Sequence, residues 1–136
     1  MSLDEQLRSH GLRVTGIRRD VLDLLQRSDR ALSHADVERA LPERADRVTL
    51  FRVLQSFEDA GLAHRVLDVQ GTSRYASCST ECDAHAHHDV HAHFRCTACS
   101  GVFCLERVAL PEVNVPKGFT VTASRLELEG RCSSCA

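Results

Sequence analysis

The chain has 136 residues and a mass of 15.1 kDa, with 43% hydrophobic and 26% charged side chains, the size of one ordinary domain or of two very small units sharing a core. No apolar run approaches the roughly 18 residues of a membrane span, and the opening MSLDEQLRSH has neither the basic start nor the apolar stretch of a secretion signal, so a soluble, cytoplasmic protein with no membrane partner is expected. A formal charge of −2 argues against a chain held to nucleic acid or anionic lipid by charge alone, while leaving room for a local basic patch.

Leu3 and Leu7 predict a short leading helix that stops at Gly11. From Thr15, the N-cap, Ile17, Val21, Leu24 and Leu25 recur at i, i+4, i+7 and i+8, which is one face of a second helix. Ser33-His34-Ala35-Asp36 forms a capping box in its Asp variant, opening a brief helix with Val37, Ala40 and Leu41 inward and Pro42 as its stop. The next helix spans Arg47 to Ala60 with Gly61 beyond its end, and its core stripe is Leu50, Val53, Leu54 and Phe57.

The other face of that helix carries Val48, Arg52, Gln55 and Asp59, with Phe51 on its flank. Two readings are open for Phe51: it packs on the first helix, or it projects with Val48 and Arg52. An exposed apolar pair beside a guanidinium suits a recognition helix, with apolar contact to thymine methyls and Arg to guanine or phosphate. After Gly61, LAHRVLDVQGTSRYAS reads as two strands around Val69-Gln70-Gly71, a hairpin wing. Three helices and a wing make a winged helix-turn-helix, and Arg13, Thr49, Phe51 and Arg52 are its candidate DNA contacts. For Arg13 the competing reading is an ordinary exposed charge.

The second half has a different chemistry. Residues 67 to 136 hold all seven cysteines and most of the histidines. An odd cysteine count without a secretion signal makes a disulfide framework the weaker reading. Cys96-Thr97-Ala98-Cys99 and Cys132-Ser133-Ser134-Cys135 are two Cys-x-x-Cys knuckles, a spacing that lets a tight turn aim two thiolates at one tetrahedral ion, so together they predict a Cys₄ structural zinc site. The 32 residues between them exceed a compact zinc ribbon, so such an ion would close a whole subdomain. The rival reading, two redox pairs, needs a strand and helix after each motif, and only Ala136 follows the second.

In AHAHHDVHAHFRC, strand alternation puts His91 and His93 on one face and Cys96 on the other, so one short strand could serve two metal sites. Thiolate with imidazole suits Zn²⁺, whereas Fe²⁺ sensors lean on carboxylates. Cys82, Cys104, His85, His87 and His88 receive no firm role; His85, His87 and His88 are equally a solvated loop that picks up metal weakly.

The segments GLRVTGIRRDVLDLL, LSHADVERAL, DRVTLFRVLQSFEDAGLAHRV, TSRYA, HAHFRCTACSGVF and GFTVTASRLELEGRCSSC resemble the ferric-uptake-regulator (Fur) superfamily over nearly the whole chain, most nearly its zinc-uptake regulators. The resemblance implies an α+β fold: a winged-helix DNA-binding domain over 1–76, a hinge and His/Cys-rich loop over 77–90, and a small α/β dimerisation and metal-binding domain over 91–136. It implies a homodimeric, metal-responsive repressor of palindromic operators on double-stranded DNA, not an enzyme. Two zinc ions per subunit are expected, a structural one at Cys96, Cys99, Cys132 and Cys135 and a regulatory one at His64, Cys78, His91 and His93.

Several positions depart from the family pattern. The acid that follows the wing's aromatic in iron and peroxide sensors is Ala76, which weakens those readings. An acidic ligand position after the first knuckle is Cys104, which replaces it, ligates transiently, or is a small buried hydrophobe. Ser124, Val90 and Ala92 stand where a further metal site has ligands, so that site is expected to be missing. The stretch from Glu106 to Gly118 is about a helical turn shorter than in relatives and carries Pro111 and Pro116, so the usual dimerisation helix is expected to be truncated or absent. The alternatives are an iron-responsive or peroxide-responsive regulator of the same superfamily and, more remotely, a zinc buffer or a Cys₄-zinc redox enzyme.

Overall fold

The structure is a computed structural model that describes residues 1–43, 45–77, 90–105, 111–122 and 124–136, with residues 90 and 91 described by their backbone. Helix α1, Leu3–Ser9, starts at a capping box in which the Ser2 hydroxyl accepts from the Glu5 N–H and the Glu5 carboxylate accepts from the Ser2 N–H. Helix α2, Gly16–Arg27, is capped by Thr15 and buries Val21, Leu22 and Leu25, so the predicted stripe holds with Leu22 added. Helix α3, His34–Ala40, opens on the expected Ser33/Asp36 capping box. Val37 is buried there and Leu41 half-buried, but Ala40 is exposed: a helix of two turns presents one narrow face, and Ala40 lies off it.

Helix α4, Arg47–Ala60, matches its predicted span. Its stop is conformational, since Gly61 sits in the left-handed region at φ 77°, where a Cβ is disfavoured. Leu50, Leu54 and Phe57 are fully buried and Val53 nearly so. Together with Leu7, Val21, Leu22, Leu25 and Val37 they make one core under the helices.

The wing is β2, Ala63–Leu67, antiparallel to β3, Ser73–Ser77. A two-residue strand β1, Leu32–Ser33, pairs with the other edge of β3 and extends the wing to three strands; no alternation is legible over two residues, and sequence reading missed it. The second sheet has the order β5-β4-β6, from β4, Val90–Cys96, β5, Val102–Cys104, and β6, Ser124–Gly130. β5 runs antiparallel to β4 and β6 parallel to it.

Helix α4 is the last helix among the described residues. Residues 111–116 are irregular, as the two prolines dictate, and 106–110 lie outside the described residues. No helix among the described residues is long and apolar enough to cross a membrane. The two sheets meet at one backbone bridge, Ala31 to Val102, flanked by a small cluster of Ala31, Ala76 and Val102.

Candidate metal centres and nucleic-acid interface

Cys96 ends β4 and Cys99 follows in a tight turn, which returns to β5 through Ser100 at φ 63°. Cys132 and Cys135 occupy a second turn just past β6, where the Cys135 N–H donates to the Cys132 carbonyl at 3.0 Å. The parallel pairing of β4 with β6 ends at Cys96 and Gly130, and the Thr97 N–H donates to the Gly130 carbonyl at 2.8 Å, so the two turns meet at one end of the sheet. The four Sγ atoms lie within 4.8 Å of one another, and Cys99 and Cys132 are 3.9 Å apart. A tetrahedral zinc thiolate with bonds of about 2.3 Å has S···S edges of about 3.8 Å, so the donor set fits that ion.

The electrostatics agree. Backbone N–H groups of Cys132 and Cys99, each 3.4 Å from Cys96 Sγ, bring the Cys96 thiol down to about 6. A hydrogen bond to the Cys132 sulfur, with burial, keeps the proton on Cys135 and pushes its thiol up to about 12. The pocket welcomes the first negative charge and resists the next, which is the behaviour of a thiol cluster that needs a cation to hold all its thiolates.

The second group forms between the sheets. Across the β4–β5 ladder His93 pairs with Cys104, which puts them side by side. His64, buried at 5% exposure in β2, comes from the wing. Its Nε2 is 3.1 Å from Cys104 Sγ and 3.4 Å from His93 Nε2. In a tetrahedral zinc site the N···N edge is about 3.3 Å and the N···S edge about 3.6 Å, so these three donors occupy three corners with slight compression on the sulfur side. Among the described residues no Asp or Glu joins them.

Strand β4 therefore contributes to both groups, His93 to one and Cys96 to the other. Of the sequence-derived regulatory set, His64 and His93 are brought together. Cys78 lies outside the described residues, as do Cys82, His85, His87 and His88. His91 pairs by its backbone with Arg125 in β6, and its side chain is outside the described residues. Cys104 joins as a donor that the sequence left open. A signal for it existed: a knuckle closing a hairpin between Arg95 and Val102 forces residues 93 and 104 into register.

The nucleic-acid candidates lie on the first turns of α4. Asp46 caps the helix by accepting the Thr49 N–H at 2.7 Å. Arg47, Thr49 and Arg52 are exposed, and so are Val48 at 57% and Phe51 at 53%. Phe51 projects toward solvent, and its ring lies edge-on to His34, centroid to centroid 6.1 Å. His34 is itself held by its Nε2 at 3.0 Å from the Arg47 carbonyl. Arg13 is exposed, and its carbonyl accepts from the Arg18 guanidinium at 2.9 Å. Val48, Thr49, Phe51 and Arg52 thus form one projecting end.

The wing is fastened to this head by Arg74, whose guanidinium donates to Asp68 at 2.9 Å and to Asp36 at 3.0 Å. Burial opposes charge at both carboxylates, yet hydrogen bonds and the cation outweigh it and hold both below their ordinary range: Asp68 is served by Arg74 and the N–H groups of Thr72 and Gln70, Asp36 by Ser33 and Arg74.

Comparison with known proteins places this geometry. The family model described as "Ferric uptake regulator family" matches residues 9–129. The chain is 33% identical over 141 residues to the ferric uptake regulation protein of Neisseria gonorrhoeae, covering 96% of this chain and 90% of that protein. It superposes on the ferric uptake regulator of Pseudomonas aeruginosa, solved with manganese, at a TM-score of 0.65 and 26% identity, over 98% of this chain and 99% of the other. A zinc uptake regulator complexed with zinc and DNA shares the fold at a TM-score of 0.60 and 21% identity, over 96% and 88% of the two chains.

Proposed function

Because this chain belongs to the ferric uptake regulator family of metal-responsive transcription regulators, which are not enzymes, we propose that it is a zinc-sensing repressor that binds palindromic operators as a homodimer when its regulatory site is filled. The observation that carries the zinc reading is the His64, His93 and Cys104 group, two imidazoles and a thiol with no carboxylate among the described residues. Soft and borderline donors at tetrahedral spacing favour Zn²⁺ over the harder Fe²⁺. Ala76, next to Tyr75 on the wing, offers no oxygen ligand, which supports the same choice.

Cys104 joins the proposed regulatory set beside His64, His93, Cys78 and His91, and the fourth corner falls to Cys78 or His91. Cys96, Cys99, Cys132 and Cys135 hold the structural zinc, giving two ions per subunit. Residues 1–76 serve as reading head, 77–90 as hinge and 91–136 as the dimerisation and metal-binding part.

Bound at the regulatory group, a zinc ion supplies short directional bonds and nothing redox-active. The protein does the rest. His64 sits on the wing and therefore moves with α4, whereas His93 and Cys104 sit on the second sheet. Held by His64, His93 and Cys104 together, such an ion would fix one element against the other, and in a dimer this would set the separation of the two α4 helices at one turn of DNA or a multiple, about 34–36 Å. Phe51 and Val48 then meet thymine methyls, while Arg52, Thr49 and Arg13 meet base edges or phosphate. A hundredfold gain in operator affinity needs a coupling of about 2.7 kcal/mol, and by linkage DNA tightens metal binding equally.

An iron-responsive regulator is the second reading, favoured by the name of the Neisseria relative. A metal-resolved DNA-binding titration separates the two. Zn²⁺ should tighten operator binding at lower free concentration than Fe²⁺ or Mn²⁺; His64→Ala should abolish or blunt that response, and so should whichever of Cys78→Ser and His91→Ala removes the fourth donor. Zinc-dependent binding that survives all three substitutions sinks the sensor assignment.

A further inference from the structure

The connector between α2 and β1 crosses to the second sheet beside the Cys₄ group. The Ala31 N–H donates to the Val102 carbonyl at 2.7 Å, joining the first core to β5. One residue earlier, Arg30 spreads its guanidinium 4.7 Å above the Phe103 ring and brings Nη1 to 3.7 Å from Cys99 Sγ. Gly101 borders the slot: a Cβ there would stand 3.2 Å from Arg30 Nη1, from Cys99 Sγ and from the Phe103 ring alike, so all three neighbours would have to give by a few tenths of an ångström. The Ser28 hydroxyl donates to the Arg30 carbonyl at 2.7 Å and shapes the connector around it.

Cys99 is the exposed member of the four cysteines; Cys96 and Cys132 are buried and Cys135 is half-buried. Four thiolates around one divalent ion leave a net negative charge, and a hydrogen bond from a cation to the outermost sulfur disperses it. Arg30 Nε also donates to Asp29 at 3.1 Å, a pair weakened by solvent because the Asp29 carboxylate is 77% exposed, while Nη1 faces Cys99.

We propose that Arg30 is a positioning residue that couples the Cys₄ centre to the seating of the helical head on the second sheet, by donating across the boundary to Cys99 while stacking on Phe103. The proposal rests on the reading of Cys96, Cys99, Cys132 and Cys135 as zinc ligands. An occupied Cys₄ centre then stabilises the docked connector, and the docked connector shields the sulfur that a competing chelator reaches first. The structural centre is in this way linked to the orientation of α4, separately from the regulatory group.

The test uses the full chain loaded with two equivalents of Zn²⁺. Zinc transfer to a chromogenic chelator is followed over time for the unmodified protein and for Arg30→Gln, Arg30→Lys, Gly101→Ala and Asp29→Asn, with amide exchange measured at Ala31 and over 102–104. Arg30→Gln should speed the slow phase of release by about tenfold and raise exchange at Ala31. Gly101→Ala should act in the same direction by filling the slot, Arg30→Lys should recover part of the effect, and Asp29→Asn should change neither readout. Unmodified release and exchange in Arg30→Gln overturn the proposal while leaving the Cys₄ reading intact. Full zinc stoichiometry in Cys99→Ser overturns that underlying reading and the proposal with it.

Discussion

His64 Nε2 and Cys104 Sγ lie 3.1 Å apart across 40 residues of sequence, the first on the wing and the second on the edge strand of the other sheet. Backbone pairing alone cannot produce this contact, because β2 and β5 share no ladder. It exists because Ala31 bridges to Val102 and sets the wing beside β5.

Cys104 should therefore decide which metal the protein answers to. Cys104→Asp replaces a soft donor by a hard one, so zinc affinity at the regulatory group should fall by roughly 10-fold or more while the preference moves toward Fe²⁺ and Mn²⁺. Competition titrations that count the tight and weak equivalents separately check this. Unchanged metal ranking in Cys104→Asp removes Cys104 from the ligand set.

The Cys₄ group should behave as part of the fold. Cys132 is 7% exposed, its N–H donates to Cys96 Sγ, and its sulfur lies among the other three. Cys132→Ser, or exhaustive chelation, should lower the melting temperature by many degrees and loosen β4 and β6 together, because metal-binding free energy here is folding free energy. Added zinc at sensor concentrations should not restore the variant. Thermal scans followed by far-UV circular dichroism decide the matter.

Acid should unfasten the wing. Asp68 and Asp36 have depressed values in the folded state, so their contribution is present above the unfolded carboxylate value of about 3.9 and is lost as pH falls through the folded values below 3.8. Asp68→Asn leaves the Arg74 guanidinium, only 15% exposed, short of a partner and should cost about 1–3 kcal/mol at neutral pH. The gap between variant and parent should close as the pH is lowered below 4. Denaturant midpoints at several pH values measure it, and a gap that stays constant with pH would contradict the ion-pair account.

Phe51→Ala should weaken operator binding by roughly tenfold with little change in melting temperature, since the ring is 53% exposed and contributes no core. Phe57, six residues along the same helix and fully buried, makes the opposite prediction: Phe57→Ala should cost about 3–5 kcal/mol of stability. Arg52→Ala should lower affinity and flatten its salt dependence by about one ion. Fluorescence anisotropy on a labelled operator, paired with thermal scans, separates the three.

Much of the molecule is legible in its sequence. The span of α4, the Thr15 and Ser33 caps, the hairpin around Val69 to Gly71 and the meeting of the two knuckles all depend on chemistry within a few residues, or on a spacing that only one ion satisfies. The leading capping box at Ser2 and Glu5 is equally present in the letters, whereas the periodicity over α3 is too short to decide which way Ala40 faces. Strand β1, two residues long, offered no pattern to find.

What sequence alone determined was local: helix ends are set by hydrogen bonds to neighbours, and a Cys-x-x-Cys turn converges its own sulfurs wherever it stands. Whether Phe51 faces outward was decided by how α4 packs within the helical head, whereas whether Cys104 stands beside His64 and whether Arg30 reaches Cys99 were decided only when two sheets docked through Ala31 and Val102. The last two contacts join residues 40 and 69 positions apart. Their distances follow from the relative placement of whole elements, a quantity that no short-range preference encodes.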